Sequence, residues 1–209
     1  MKSLYIVRHG QSLANTGAES MPDKTIPLTA LGIEQATTLC ANWQALLPKP
    51  STIYCSQMLR AQQTAQIFCE HHQIEAQALP LLNEFGCLGF TTVKGLKGEA
   101  RGKLAQQYWV SADLNYRDTE DSDSFADFVE RVDGFIDTAA SYEHHSVFFG
   151  HGIWLGLLAW RLLGIDIQDN TDMRRFRQFQ TAMPMYNTVV YRLDISDDGV
   201  MQLQAVRIN

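Results

Sequence analysis

Two short apolar runs in this chain each end in a histidine beside glycine. Leu4-Tyr5-Ile6-Val7 leads into Arg8-His9-Gly10, and Val147-Phe148-Phe149 leads into Gly150-His151-Gly152. Short continuous apolar runs of this kind read as strands buried on both faces, which is the habit of a parallel sheet covered by helices. In such a sheet the ligand crevice lies outside the carboxyl ends of the strands. His9 and His151 are therefore expected to converge, although most of the chain lies between them.

The rest of the sequence alternates strand and helix signals, with no internal repeat and no low-complexity tract, as an α/β fold requires. Thr29 reads as an N-cap, and Ile33, Ala36, Cys40, Trp43 and Leu47 follow at helical spacing until Pro48 and Pro50 stop the helix. Thr52–Cys55 reads as a short buried strand, and Leu59 to about Cys69 as a helix with Arg60 in its first turn. Phe125, Phe128, Val129, Val132, Ile136 and Ala139 form a second stripe, followed by a strand at Ser146–Phe149 and an apolar helix at Trp154–Leu163. Val189, Tyr191, Leu193 and Ile195 alternate, Asp198-Gly199 supplies a turn, and Met201, Leu203 and Ala205 alternate again, which predicts a closing antiparallel hairpin. Residues 85–123 and 166–184 are the least regular stretches, and substrate-facing insertions of a single domain spanning 1–209 are expected there.

Composition narrows the classes of partner. A chain of 209 residues with 45% hydrophobic content can bury a substantial core. With 17 basic against 23 acidic residues, its net charge of −6 argues against a nonspecific grip on nucleic acid or on an anionic membrane. The apolar run near the N-terminus is too short for a signal peptide or a membrane span, so a cytoplasmic protein is expected. Cys40, Cys55, Cys69 and Cys87 have neither CxxC pairing nor metal-ligand spacing, and read as reduced, mostly buried thiols.

Leu4 through Ser12, with Asn15 three positions on, resembles the first signature of the histidine phosphatase superfamily, the group that includes the cofactor-dependent phosphoglycerate mutases. Pro27-Leu28-Thr29, Gly32 and Gln35-Ala36 resemble the segment that follows in that family. Ser56 through Ala65 resembles its second arginine motif, Glu84 its acid, Gly150-His151-Gly152 its second histidine motif, and Asn187 the opening of its last strand. The resemblance runs in family order over nearly the whole chain. It implies a three-layer α/β/α sandwich, phosphoglycerate mutase-like, with a mostly parallel central sheet.

The chemistry of these residues points the same way. A phosphoryl group needs its oxygens held and neutralised as the ester bond breaks, which guanidinium forks and an imidazole N–H can do. Arg8, Arg60 and His151 suit that task. A histidine becomes a nucleophile when one ring nitrogen is bare and the other is fixed by an acceptor, and His9 is assigned that role through a phosphohistidine intermediate. Glu84 is expected to protonate the leaving oxygen and later take a proton from water, which requires a partly desolvated carboxyl. Ser12 and Asn15 are expected to add hydrogen bonds to phosphate, with Gly10 and Gly152 allowing close backbone approach. The expected activity is a phosphatase acting on a small phosphorylated substrate, with no metal and no other cofactor.

Two departures from the family pattern shape this reading. Where one branch has an acid directly after the second histidine, this chain has Gly152-Ile153, which leaves the acid role to Glu84. After that glutamate, Gly86-Cys87-Leu88-Gly89-Phe90 replaces a Gly-Trp-Glu-Gly pattern common in relatives, so the substrate wall is expected to differ. A phosphoglycerate mutase is the second reading, disfavoured because Leu13-Ala14-Asn15 stands where mutases have an acid-tryptophan-asparagine run. A noncatalytic phospholigand-binding or regulatory module is the third, and such modules usually lose a core residue. The pairs His71-His72 and His144-His145 read as solvated residues near helix ends without a metal role. Arg174, Arg175 and Arg177 read as a charged helix face, with a substrate anion as the alternative. The sequence sets no oligomeric state.

Overall fold

The computed structural model describes residues 1–208. The first half runs β1 (Lys2–Arg8), α1 (Ala30–Leu46), β2 (Ile53–Cys55), α2 (Leu59–His72), β3 (Ala76–Ala78), α3 (Phe90–Val93) and α4 (Gly98–Ser111). The second half runs α5 (Phe125–Ala139), β4 (Val147–Gly150), α6 (Gly152–Leu162), α7 (Asn170–Ala182), β5 (Val190–Ile195) and β6 (Met201–Val206). Single turns of 3-10 helix lie at Leu13–Thr16, Asp23–Thr25 and Pro80–Leu82.

The six strands form one sheet in the order β3-β2-β4-β1-β5-β6. The first four are parallel, and β5 and β6 add an antiparallel pair beside β1. Successive side chains of a strand face opposite sides, and the two halves of the core obey that period. Tyr5 and Val7 pack with Ile53, Val147 and Phe149 beneath Leu39, Trp43 and Phe68 of α1 and α2. Leu4, Ile6 and Phe148 face the other way, onto Phe128, Val132 and Phe135 of α5 and Trp154, Leu155 and Leu158 of α6. The result is the expected α/β/α sandwich with its closing hairpin, whose turn places Gly199 at a φ of 85°.

Helix starts are capped as their sequences suggest. Gly32 N–H donates to Thr29 Oγ1 at 3.0 Å, and Ser124 with Asp127 forms a capping box at α5. The buried stripe of α1 consists of Gly32, Ala36, Leu39, Cys40 and Trp43, whereas Ile33 is 49% exposed. Gly32 takes the inward position because the loop after β1 presses against it: a Cβ there would lie 2.0 Å from the Gln11 carbonyl oxygen. On α5 the fully buried Phe135 joins the stripe, and Val129 and Ile136 flank it.

The two stretches expected to be irregular both contain helix. Residues 85–123 hold α3 and α4, and residues 166–184 hold α7. Among the described residues no helix is long and apolar enough to cross a membrane.

Candidate active site

The parallel register of β1 and β4 sets Arg8 opposite Gly150, so His9 and His151 leave the sheet level with each other. His9 N–H donates to the Gly150 carbonyl at 3.0 Å, tying the two loops together. The imidazoles meet edge to face with centroids 5.1 Å apart, and their residues are 4% and 1% exposed.

The His9 ring is oriented by its own loop. Nδ1 lies 2.6 Å from the Gly10 carbonyl oxygen, which can only accept, so Nδ1 carries the proton and Nε2 is left with a free lone pair. Burial together with the charges of Arg60 and Arg8 holds the His9 pKa at about 3, against a bond to Gly10 that favours the imidazolium. The ring is thus neutral at ordinary pH, and its Nε2 lone pair is free without the help of a base. Gly10 N–H donates to Thr64 Oγ1 at 3.1 Å, and that hydroxyl donates to the Arg60 carbonyl at 2.7 Å. Thr64 therefore links the His9 loop to the turn of α2 that carries Arg60.

His151 Nε2 lies 2.6 Å from Ser56 Oγ, a fully buried hydroxyl that also accepts the Met58 N–H. Burial is the first cause that pushes the His151 pKa far down, with Arg60, His9 and Arg8 adding to it. Arg60, at the first turn of α2, is 5% exposed. Its Nη1 donates to the Asp23 carbonyl at 2.9 Å and to Asp23 Oδ1 at 3.0 Å. Arg8 donates through Nη1 to the Met185 carbonyl, and Glu84 and Arg60 are the charges acting on it.

Glu84 sits at the start of α6. Ile153 N–H donates to its Oε2 at 2.9 Å, Trp154 N–H to Oε1 at 2.9 Å, and Phe85 N–H to Oε1 at 3.0 Å. The carboxylate thus caps a helix whose own N-cap residue, His151, supplies no side-chain bond. Burial raises the Glu84 pKa and is the largest influence, opposed by those three N–H donors and by Arg60.

The structure brings His9, Arg8, Arg60, Glu84 and His151 into one cluster. It gives the smaller residues other immediate partners than phosphate. A Cβ on Gly10 would lie 2.3 Å from the Gly32 carbonyl oxygen, so its missing side chain admits α1. A Cβ on Gly152 would lie 3.2 Å from Arg8 Nε, so that glycine admits the guanidinium. Ser12 Oγ donates to Asn15 Oδ1 at 3.1 Å, and Asn187 Nδ2 donates to the same oxygen at 3.3 Å. Ser12 is buried and committed to Asn15, whereas Asn15 is exposed.

Two polar atoms of the cluster, Arg8 Nε and His151 Nδ1, are buried without a hydrogen-bond partner. Buried donors are nearly always paired, and leaving one unpaired costs about 1–3 kcal/mol. An anion with several acceptor oxygens is the ligand that would satisfy both and balance two guanidinium charges.

The family model for the histidine phosphatase superfamily, branch 1, matches residues 4–207. The chain belongs to that superfamily. It is 32% identical over 170 residues to the adenosylcobalamin/alpha-ribazole phosphatase of Escherichia coli K12, covering 78% of this chain and 79% of that protein. The Salmonella typhimurium protein of the same name is 31% identical over 165 residues, 77% of this chain and 79% of its own. Among solved structures, a putative alpha-ribazole-5'-P phosphatase from E. coli K-12 superposes with a TM-score of 0.74 at 24% identity, covering 100% of both chains. A mycobacterial glucosyl-3-phosphoglycerate phosphatase gives 0.71 at 18% identity, covering 100% of this chain and 99% of its own. This histidine phosphatase is accordingly a phosphoric ester hydrolase by family.

Several residues of this phosphatase sit differently from their sequence reading. Arg174, Arg175 and Arg177 do not form one face: the first two are exposed, while the half-buried Arg177 guanidinium lies 4.7 Å from the centroid of the Trp109 ring. Arg177, Asp118 and Asp23 are the charges acting on Cys87, whose thiol burial pushes up to about 12. In the altered segment Gly86–Phe90, Cys87 is therefore a neutral, half-buried thiol near Arg177. His144 and His145 lie in the turn before β4 rather than at a helix end, with Ser3 N–H donating to His144 Nδ1 at 2.9 Å. His72 is only 8% exposed, contrary to a solvated reading, because α2 runs on to His72 and turns it toward α1. Ser56 and Thr64 lie in the second arginine motif, but their roles are visible only once β2, β4 and α2 are assembled.

Proposed function

We propose that this protein hydrolyses a small phosphomonoester through a phosphohistidine on His9, without a metal. The observation that carries the reading is the bare Nε2 of His9, fixed by the Nδ1 contact with the Gly10 carbonyl at 2.6 Å, beside two arginines and the buried His151. In the first half-reaction His9 Nε2 forms the bond to phosphorus while the bond to the ester oxygen breaks. Glu84, protonated, gives its proton to that oxygen, and the alcohol leaves. In the second, water attacks phosphorus, its proton passes to the Glu84 carboxylate, the P–N bond breaks, and inorganic phosphate leaves with both residues restored. Arg8, Arg60 and His151 hold the charge on the phosphoryl oxygens throughout.

The relatives named as alpha-ribazole phosphatases support a substrate of that kind, and α-ribazole 5′-phosphate is the first compound to assay after a generic aryl phosphate. The single domain, its placement in the cytoplasm and the lack of a nucleic-acid or membrane partner belong to the same proposal, supported by the net charge of −6.

The test is phosphate release from an aryl phosphate in the presence of chelator, comparing wild type with His9→Ala, with alkaline quenching to trap phosphohistidine. Chelator-resistant turnover and a trapped label, both lost in His9→Ala, are expected. Equal turnover in the two proteins overturns His9 as nucleophile, and loss of turnover on chelation overturns metal independence.

A further inference from the structure

At the end of α2 remote from Arg60, three residues outside the phosphate site come together. Cys40 of α1 and His71 and His72 of α2 each present one ligand atom, and these atoms all lie within 4.8 Å of one another. Twelve residues of helix separate Arg60 from His72, about 18 Å at 1.5 Å per residue. Because α2 starts at the active-site ends of the strands, this cluster lies toward the opposite end of the sheet.

We propose that Cys40, His71 and His72 form a transition-metal site suited to Zn(II). One thiolate and two imidazoles are the donor set that Zn(II) takes in preference to hard cations, which want carboxylate and carbonyl oxygens. Around a tetrahedral Zn(II), such donors lie about 3.3–3.6 Å apart, so the cluster needs to tighten by roughly 1 Å. His71 is exposed at the last turn of its helix and free to make that adjustment.

A second observation points to the same ligand. His72 is 8% exposed, and its Nε2 is buried without a hydrogen-bond partner, an arrangement that costs free energy unless something binds there. Cys40 makes only a 4.0 Å contact from Sγ to the Ile67 carbonyl, a weak bond that a metal–sulfur bond readily replaces. On binding, the Cys40 thiol would release its proton to solvent and a metal–sulfur bond would form, with water completing the coordination. Lys49, the neighbouring cation, is exposed and can turn into solvent.

Such an ion would tie α1 to α2 behind the sheet and leave the chemistry at His9 untouched. The test is titration of tag-free protein with Co(II), followed by displacement with Zn(II), in wild type, Cys40→Ser, His72→Gln and His71→Gln. One Co(II) per chain is expected, with a thiolate-to-cobalt charge-transfer band that Zn(II) bleaches and Cys40→Ser abolishes. His71→Gln, a surface change that spares the fold, is expected to weaken binding by more than the roughly 10–100-fold that loss of an outer-shell partner costs. Aryl phosphatase activity in chelator serves as the folding control and is expected to stay at the wild-type level in every variant. Absence of saturable binding, Co(II) binding without a thiolate band, or unchanged affinity in His71→Gln overturns the site.

Discussion

Asp23 and Arg60 form an ion pair, with Asp23 Oδ1 3.0 Å from Arg60 Nη1 and the Asp23 carbonyl accepting from the same nitrogen at 2.9 Å. The aspartate belongs to the 3-10 turn Asp23–Thr25, which meets the start of α2 at Arg60. On the proposed mechanism a phosphate shares Arg60 with a carboxylate that is itself 46% exposed. Exchange of the carboxylate for a neutral amide keeps the backbone contact and removes the competing charge. A unit charge about 4 Å away in a solvent-like medium is worth about 1 kcal/mol, so Asp23→Asn is expected to lower the inhibition constant of inorganic phosphate about fivefold. The gain shrinks as salt is added. An unchanged or higher constant at low salt would show that Asp23 positions Arg60 instead of competing for it.

Glu84 is the second point of attack. If it protonates the leaving oxygen, Glu84→Gln is expected to lower kcat/KM, which covers the steps up to phosphohistidine formation, by about 10²–10⁴-fold for an alkyl phosphate and much less for p-nitrophenyl phosphate, whose leaving group needs no proton. The alkaline limb of kcat/KM for the alkyl substrate, set by loss of the Glu84 proton, is expected to flatten in the variant. Equal losses in kcat/KM on both substrates would remove Glu84 as the acid for the leaving oxygen.

Ser56 offers a positioning prediction. Ser56→Ala removes the partner of His151 Nε2 and leaves a buried ring nitrogen unpaired, at a cost of about 1–3 kcal/mol. Urea unfolding is expected to show a loss in that range, and kcat/KM to fall with it, whereas Ser56→Thr keeps the hydroxyl and is expected to recover activity if the added methyl is accommodated. Wild-type activity in Ser56→Ala would detach His151 from that hydroxyl.

Acid stability follows from His9. Its pKa in the folded protein is about 3 and in the unfolded chain about 6.5, so below pH 6.5 the unfolded chain gains a proton that the folded one refuses. Stability is therefore complete above pH 6.5 and is lost as pH falls toward 3. By pH 4.5 the His9 contribution amounts to about 2–3 kcal/mol, with His151 acting in the same direction. Urea midpoints at pH 7 and 4.5 are expected to differ less in His9→Gln than in wild type; an identical difference would remove His9 from the acid response.

The parts of this molecule that were legible in the sequence are those whose signal is local. Leu4–Val7 and Val147–Phe149 announce buried strands by their own composition, and the α5 stripe by its spacing. What escaped is made by distant partners. β3 is a short exposed edge strand, Ala76–Ala78, with no apolar run to mark it. α4 carries glycine at positions 98 and 102 and buries only Tyr108 and Trp109, so its sequence lacks a stripe. The inward turn of Gly32 in place of Ile33 depends on the Gln11 backbone, and the company His72 keeps depends on Cys40 in another helix. His9, Arg60 and Glu84 were readable as chemistry, whereas the committed hydrogen bonds of Ser12 and Gly10 were not.

The cap that Glu84 places on α6 ties proton traffic to the backbone. Its three N–H donors bind the ionised carboxylate more strongly than the neutral acid, so each proton that Glu84 takes up loosens the first turn of the helix beginning at Gly152. On the proposed mechanism, a carboxyl loosened in this way would turn toward the leaving oxygen, and once it had given up the proton the same amides would draw it back. In that cycle the start of α6 would act as a return spring, wound by every proton that reaches the site.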